Sequence, residues 1–344
     1  MSNLMKASQE LFRRSPDEAF PSLTALAAHC REERDAAEEN WHRPEELWAR
    51  AVGTEQLMLA HGNGESYQMT DWSFGQLCRL GGVAKETVNR LSPDTASRVL
   101  AETLPHGNKP LQVYTVGQQA RSIHGASYTR LFNAELLDLV DECADGFEPP
   151  PEGLNGATGL YCGEQDLFLF LIDPTGWVEI EGESFAPGFF LWNSEVGRRS
   201  VGAQTFWFQA VCNNHIVWDA IEVVEFSRKH TANVHDSLRE IRGLIEGLVE
   251  KRDQRRDGFV RVIRKAMETK LGEDADEVMD VLNKRGITRK LAKEAIETAQ
   301  RHGRLTIFAV VDALTRIAGT LKNGGDRTEA DARASSLLAL AATA

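Results

Sequence analysis

Three features of the 344-residue sequence predict an α+β fold. At Pro110 the hydrophobic pattern switches from helical spacing to short strand-like runs. Those runs continue to about Glu225, and after Thr231 the pattern is helical without a break. The expected architecture is a mainly antiparallel, curved sheet flanked by N-terminal helices and a long C-terminal helical region. The chain divides accordingly into a helical region at 1–105, a sheet core at 106–230, helices packing on that core at 231–322, and a flexible or weakly docked tail at 323–344.

Each element has its own signal. Residues 1–50 read as charged helix, with Ser15 as a cap and Pro16 at the first helical position. SFGQLCRLGGVAKETVNRL supplies two short helical patterns joined at Gly81-Gly82, and SPDTASRVLAETL a third, capped by Ser92 ahead of Pro93. The layout fits a helix-turn-helix with Val83–Leu91 as the reading helix, or a packed αα-hairpin that needs no DNA. Strands are expected at Leu111–Val116 and Arg121–His124, and a helix at Leu131–Cys143. FEPPPEGLNG (147–156) is a loop. Further strands are expected at Gly159–Cys162, Asp166–Ile172, Trp177–Ile180, Gly188–Trp192, Thr205–Cys212 and Ile216–Val224, the last two joined by an Asn213-Asn214 turn. Val234, Leu238, Ile241, Ile245 and Leu248 form an apolar stripe too short for a free coiled coil, so it should pack on the sheet. Four more helices follow at about 258–270, 276–284, 288–301 and 306–321.

The net charge of −12 conceals a split. Residues 1–226 carry 16 Lys and Arg against 33 Asp and Glu, whereas residues 227–344 carry 23 against 18. Such asymmetry accompanies nucleic-acid contact or self-association, but also plain solvated helices. The overall negative charge weighs against non-specific duplex binding, which rests on neutralising phosphates. Five scattered cysteines without a Cys-x-x-Cys pair suit reduced, buried thiols. No apolar run reaches signal-peptide or membrane-span length, so a cytoplasmic location and no membrane partner are expected.

Candidate chemistries are few. Cys212-x-x-His215 followed by His230 and His235 has zinc-like spacing, but reads better as a sheet cysteine with surface histidines. Asp173, Glu179, Glu181 and Glu183 are the carboxylates a two-metal nuclease would need, yet alternate glutamates fit the solvent face of an edge strand. No P-loop and no Gly-x-Ser-x-Gly is present, so no catalytic residue and no cofactor is assigned. Single-strand binding has a physical basis, because it needs cations beside aromatic rings. Arg198 and Arg199, in a Gly-flanked loop, suit a phosphate clamp, with Arg121, Arg228 and Lys229 in support. Tyr128 or Trp207 would stack a base. Phe206 and Phe208 share one face of their strand and Trp207 takes the other, so only one set is expected in the core.

Several blocks resemble a family known as domain of unknown function 932. They are SFGQLCRLGGVAKETVNRL, ARSIHGASYTRLFNAELL, FLWNSEVGRRSVGAQTFWFQAVCNN, FSRKHT and TIFAVVDALTRIA. The resemblance rests on Arg121, Ile123, Tyr128 and Leu131, then on Asn193, Ser194, Gly197, Ser200 and Cys212-Asn213, and finally on Arg228, His230 and Thr231. Asp312 stands where the family tends to carry Asn. The family's members sit on phages, prophages and conjugative plasmids, so the resemblance implies a mobile-element DNA-metabolism protein without assigning an activity. At fold level only, a curved antiparallel sheet backed by a long helix is similar to phage single-strand annealing proteins. The functional expectation is non-enzymatic binding or annealing of single-stranded nucleic acid. The alternative is a protein–protein factor that inhibits or decoys a host defence system. A host or phage protein and a second copy of the chain are therefore the other partners to consider.

Overall fold

A computed structural model describes residues 10–62, 64–151, 158–210, 215–218, 225–301, 303–321 and 324–343. Two sheets organise them. The larger sheet is antiparallel throughout, in the order β1 (Glu18–Ala19), β8 (Leu160–Cys162), β9 (Leu167–Ile172), β11 (Glu183–Asn193), β12 (Val201–Gln209) and β13 (His215–Trp218). Two short strands complete it, β10 (Val178–Ile180) on β11 and β14 (Glu225–Arg228) on β12. The smaller sheet runs β2 (Ala37–His42), β6 (Leu111–Val116), β7 (Gln119–Gly125), β5 (Ser66–Met69), β4 (Gln56–His61) and β3 (Leu47–Val52), with β5 and β7 parallel. The class is α+β, as the period switch predicts.

The N-terminal region departs from its helical expectation, because β2 to β5 are strands. LWARAV turns Leu47 and Ala49 inward and Trp48 and Arg50 outward, against inward Leu57 and Leu59 on β4. Cross-strand pairing and burial override the helix propensity of the Ala, Glu and Leu residues here. Helix α1 (Leu23–Asp35) starts at Ser22 rather than Ser15, the Ser22 hydroxyl accepting the Ala25 N–H at 3.1 Å. The next three helices, α2 (Asp71–Leu80), α3 (Lys85–Val88) and α4 (Pro93–Thr103), cover one face of the small sheet. Ser92 caps α4 with Pro93 at its first position, as expected. With α3 a single turn whose Val88 is buried, the helix-turn-helix has no reading helix left, and the packed hairpin stands.

Strand alternation splits the large sheet's residues between its faces. On one face Leu169, Leu171, Phe189 and Leu191 meet α5 (Asn133–Cys143) and α6 (Asp236–Glu250), with Ile241 and Ile245 of α6 fully buried. The stripe read from Val234 to Leu248 therefore packs on the sheet. On the other face Phe206 and Phe208 join Phe168, Phe170 and Phe190. Trp207 is buried too, its ring stacked 4.1 Å from Phe259, so both faces of β12 are core and the expectation of one buried set is corrected. Phe259 belongs to α7 (Arg252–Glu268), which packs with α8 (Ala275–Lys284), α9 (Arg289–Arg301), α10 (Ile307–Ala318) and α12 (Leu338–Thr343), while α11 (Gly324–Ser335) lies against α10. Leu337 and Leu338 are fully buried in that cluster, so the tail is docked rather than loosely attached. The expected Asn213-Asn214 turn and residues 152–156 of the expected loop at 147–156 lie outside the described residues, while β12 and β13 pair antiparallel.

Candidate functional site

Residues 194–200 link β11 to β12, the longest paired strands of the large sheet. Side chains from the small sheet, from α2 and from the segment between β7 and α5 hold this link. Glu195 is buried, its carboxylate accepting the Tyr114 hydroxyl at 2.8 Å and the Asn133 backbone N–H at 2.6 Å. Burial raises the Glu195 carboxyl above the usual range, opposed by those two bonds. Arg130 lies 3.6 Å over the Tyr114 ring, donates to the Glu195 carbonyl, and pairs with Glu39 at 2.6 Å. The Tyr128 hydroxyl donates to that same carbonyl at 2.8 Å. Trp72 and His124 donate to the Val196 carbonyl at 2.8 and 3.0 Å, which places the His124 proton on Nε2. Ser194 Oγ donates to the Gln165 carbonyl at 2.6 Å and accepts the Arg198 N–H at 3.0 Å. A loop tied at so many points is rigid before any ligand arrives.

Beside the link opens a cleft of about 640 Å³, walled by Tyr128, Arg198, Arg199, Ser227, Lys229 and His230. Arg198 reaches Asp166 at 2.6 Å, and Arg199 and Arg14 approach the same carboxylate at 3.7 and 3.4 Å. Burial raises the Asp166 carboxyl against the opposing pull of those three guanidiniums. Arg199 also pairs with Glu329 of α11 at 2.8 Å, and the Glu329 side chain is 52% exposed. Lys229 is exposed and has no ion pair among the described residues. The cleft thus presents three cations around one buried and one solvated carboxylate.

Two imidazoles flank the Tyr128 ring, His124 at 3.6 Å and His230 at 5.5 Å. Burial lowers His124 to about 3 and His230 to about 4, with Arg130 adding to both shifts. Their folded values lie below the unfolded value near 6.5, so the unfolded chain takes up protons first. The stability this confers is present above pH ~6.5 and is lost as pH falls toward 4. Going from pH 7 to 5 should cost on the order of 3–4 kcal/mol for the two groups together. Thermal unfolding across that range measures it. His230→Phe keeps the ring contact and should flatten the slope, whereas an unchanged slope would refute this account.

Tyr128, Arg198, Arg199 and Lys229 are therefore brought together, and the other expected binding residues are not. Arg121 is buried and held by Glu33 at 2.9 Å. Trp207 is stacked in the core, and the Tyr128 ring is stacked on His124 and crowded by His230 and Arg130, so neither ring is free to stack a base. Arg228 turns toward α6, pairing with Glu240 and approaching Asp236 at 3.7 Å. The carboxylates considered for a nuclease do not converge. Asp173 accepts the Thr175 hydroxyl and N–H at 2.7 and 3.0 Å, as a turn residue does. Glu179 and Glu181 are exposed, and Glu183 accepts from Gln209 at 2.9 Å. Of the zinc-like set, His230 faces Tyr128 while His235 approaches Glu135 at 3.7 Å. Cys212 lies outside the described residues, and so does the side chain of His215. Sequence reasoning missed His124 and Asp166. The isolated Asp immediately before LFLFLI was the available signal, since a carboxylate entering a buried strand needs cationic partners.

The link and both walls of the cleft fall within residues 121–316, the span matched by the family model described as Domain of unknown function (DUF932). The chain belongs to this family. No curated protein and no solved structure matches it. Of the cleft's charged groups, Arg198, Arg199 and Lys229 lie inside the DUF932 span, while Glu329 lies beyond its end and docks onto it through Arg199. No helix among the described residues is long and apolar enough to cross a membrane.

Proposed function

We propose that this DUF932 protein grips single-stranded nucleic acid by its phosphates and catalyses no reaction on it. The observation that carries the reading is the pair of guanidiniums on a rigid link, with the exposed Lys229 lining the same cleft. Charge-assisted bonds to phosphate are roughly twice as strong as neutral ones, and a preset fork loses little entropy in making them. The Arg199–Glu329 pair is partly solvated and contributes about 0–1 kcal/mol, so an incoming phosphate displaces Glu329 at small cost. With Tyr128 and Trp207 occupied, the grip follows the backbone and is indifferent to sequence. A DNA-metabolism role on a mobile element fits such a grip.

Arg198→Ala/Arg199→Ala should weaken oligonucleotide binding uniformly across sequences. It should also reduce the slope of log affinity against log salt by about 0.7 for each single-strand phosphate no longer held. Fluorescence anisotropy over a salt series reads both effects. Absence of wild-type binding at low salt would overturn the proposal. It would favour the other reading, a protein partner, which has its own support. Trp41 is 49% exposed on the edge strand β2, between exposed Glu38, Glu39 and Glu45, an acidic rim with an aromatic anchor.

A further inference from the structure

Away from the cleft, α1 lays His29 and Glu33 one turn apart on the face that meets β8. Their nearest side-chain atoms are 3.7 Å apart. The Cys162 sulfur completes a group whose donor atoms all lie within 4.8 Å of one another. Tetrahedral zinc, with bonds of about 2.0–2.3 Å, places its ligand atoms about 3.3–3.6 Å apart, so small side-chain movements would close the group onto an ion.

The surroundings are also those of a metal site. Arg121 holds one Glu33 oxygen at 2.9 Å and leaves the other facing His29. The Asn133 amide points at the Cys162 sulfur from 4.0 Å, a weak N–H···S contact that suits a thiolate. Cys162 is buried, while His29 and Glu33 keep 33% and 17% of their side chains exposed, which opens a path from solvent. Charge balances as well. A divalent ion would be matched by the Glu33 carboxylate and the Cys162 thiolate, the thiol proton leaving to water.

We infer that the α1–β8 junction is a zinc-type metal site, with His29, Glu33 and Cys162 as its three protein ligands and the fourth position left to water. The inference is independent of the nucleic-acid reading, since none of these residues lines the cleft.

The test uses the full-length chain, reduced and stripped of metal, titrated with Co²⁺ and then Zn²⁺. One equivalent of Co²⁺ should produce a thiolate-to-cobalt charge-transfer band, which Zn²⁺ then abolishes. His29→Asn and Glu33→Gln sit at partly exposed positions and should leave the circular dichroism spectrum unchanged. Each should weaken metal binding by more than the roughly 10–100-fold typical of losing an outer partner. Cys162→Ser should remove the charge-transfer band, whereas Cys143→Ser should behave as wild type. Absence of the band in the wild type, or equal affinity in His29→Asn and Glu33→Gln, would overturn the inference even if Cys162→Ser fails to fold.

Discussion

Replacing Glu195 by alanine should destabilise the protein by about 3–5 kcal/mol, the scale of breaking a buried ionic or hydrogen-bonded group. The substitution strands the Tyr114 hydroxyl and the Asn133 N–H, both buried and neither with another acceptor among the described residues. It also removes a negative charge that faces the buried Arg121. Because Tyr114 lies on β6 and Asn133 opens α5, the loss uncouples the 194–200 link from both elements. Glu195→Gln keeps one carbonyl acceptor and should recover part of the loss. Chemical denaturation of the three proteins provides the comparison. A Glu195→Ala variant within about 1 kcal/mol of wild type would show that the remaining hydrogen bonds suffice to hold the link.

Gly197→Ala should be almost as damaging, for two separable reasons. Gly197 has φ +70°, and an added Cβ would lie 2.8 Å from both His124 Cε1 and Tyr128 Cε2. Strain at positive φ costs about 1 kcal/mol, and overpacking adds about 1–3 kcal/mol. Gly53 isolates the first effect, since its φ is +61° and its Cβ would meet nothing within 4 Å. Gly53→Ala should therefore lose only about 1 kcal/mol. If both variants fall equally, the crowding at Gly197 is relieved without cost. A larger loss at Gly197 should come with weaker oligonucleotide binding, because the stacked His124–Tyr128 wall and the Arg198 backbone must shift to admit the methyl group.

The strands from Leu111 to Trp192 were legible because their apolar runs are long and bounded by Gly, Pro and Asn. The α6 stripe was legible for the matching reason, a sustained helical period. Strand β2 was not, since AEENWH is largely exposed and shows no alternation to set against the helix propensity of Ala and Glu. LWARAV does alternate, and read against QLMLAH it would have announced the β3–β4 hairpin. The candidate cleft was half legible. Arg198 and Arg199 stood out by their Gly-flanked loop, and Lys229 by its place ahead of the long helix. Arg121 and Arg228 carry the same guanidinium but do not line the cleft, being drawn to Glu33 and Glu240, partners that no local pattern reveals.

The sequence by itself determined the fold class, the helical and strand periods of the core, and which residues share a face of each strand. Those follow from local geometry, the 2.0 and 3.6 repeats and the chemistry of caps and turns. Only the tertiary structure decided which faces are covered, and it covered both sides of β12, taking Trp207 out of any binding role. It alone placed Asp166 beneath Arg198 and Arg199, packed two histidines against Tyr128, and carried Cys162 to His29 and Glu33. The physical reason is that burial and ion pairing depend on what lies within a few ångströms in space. For these groups, the neighbours come from segments far apart along the chain.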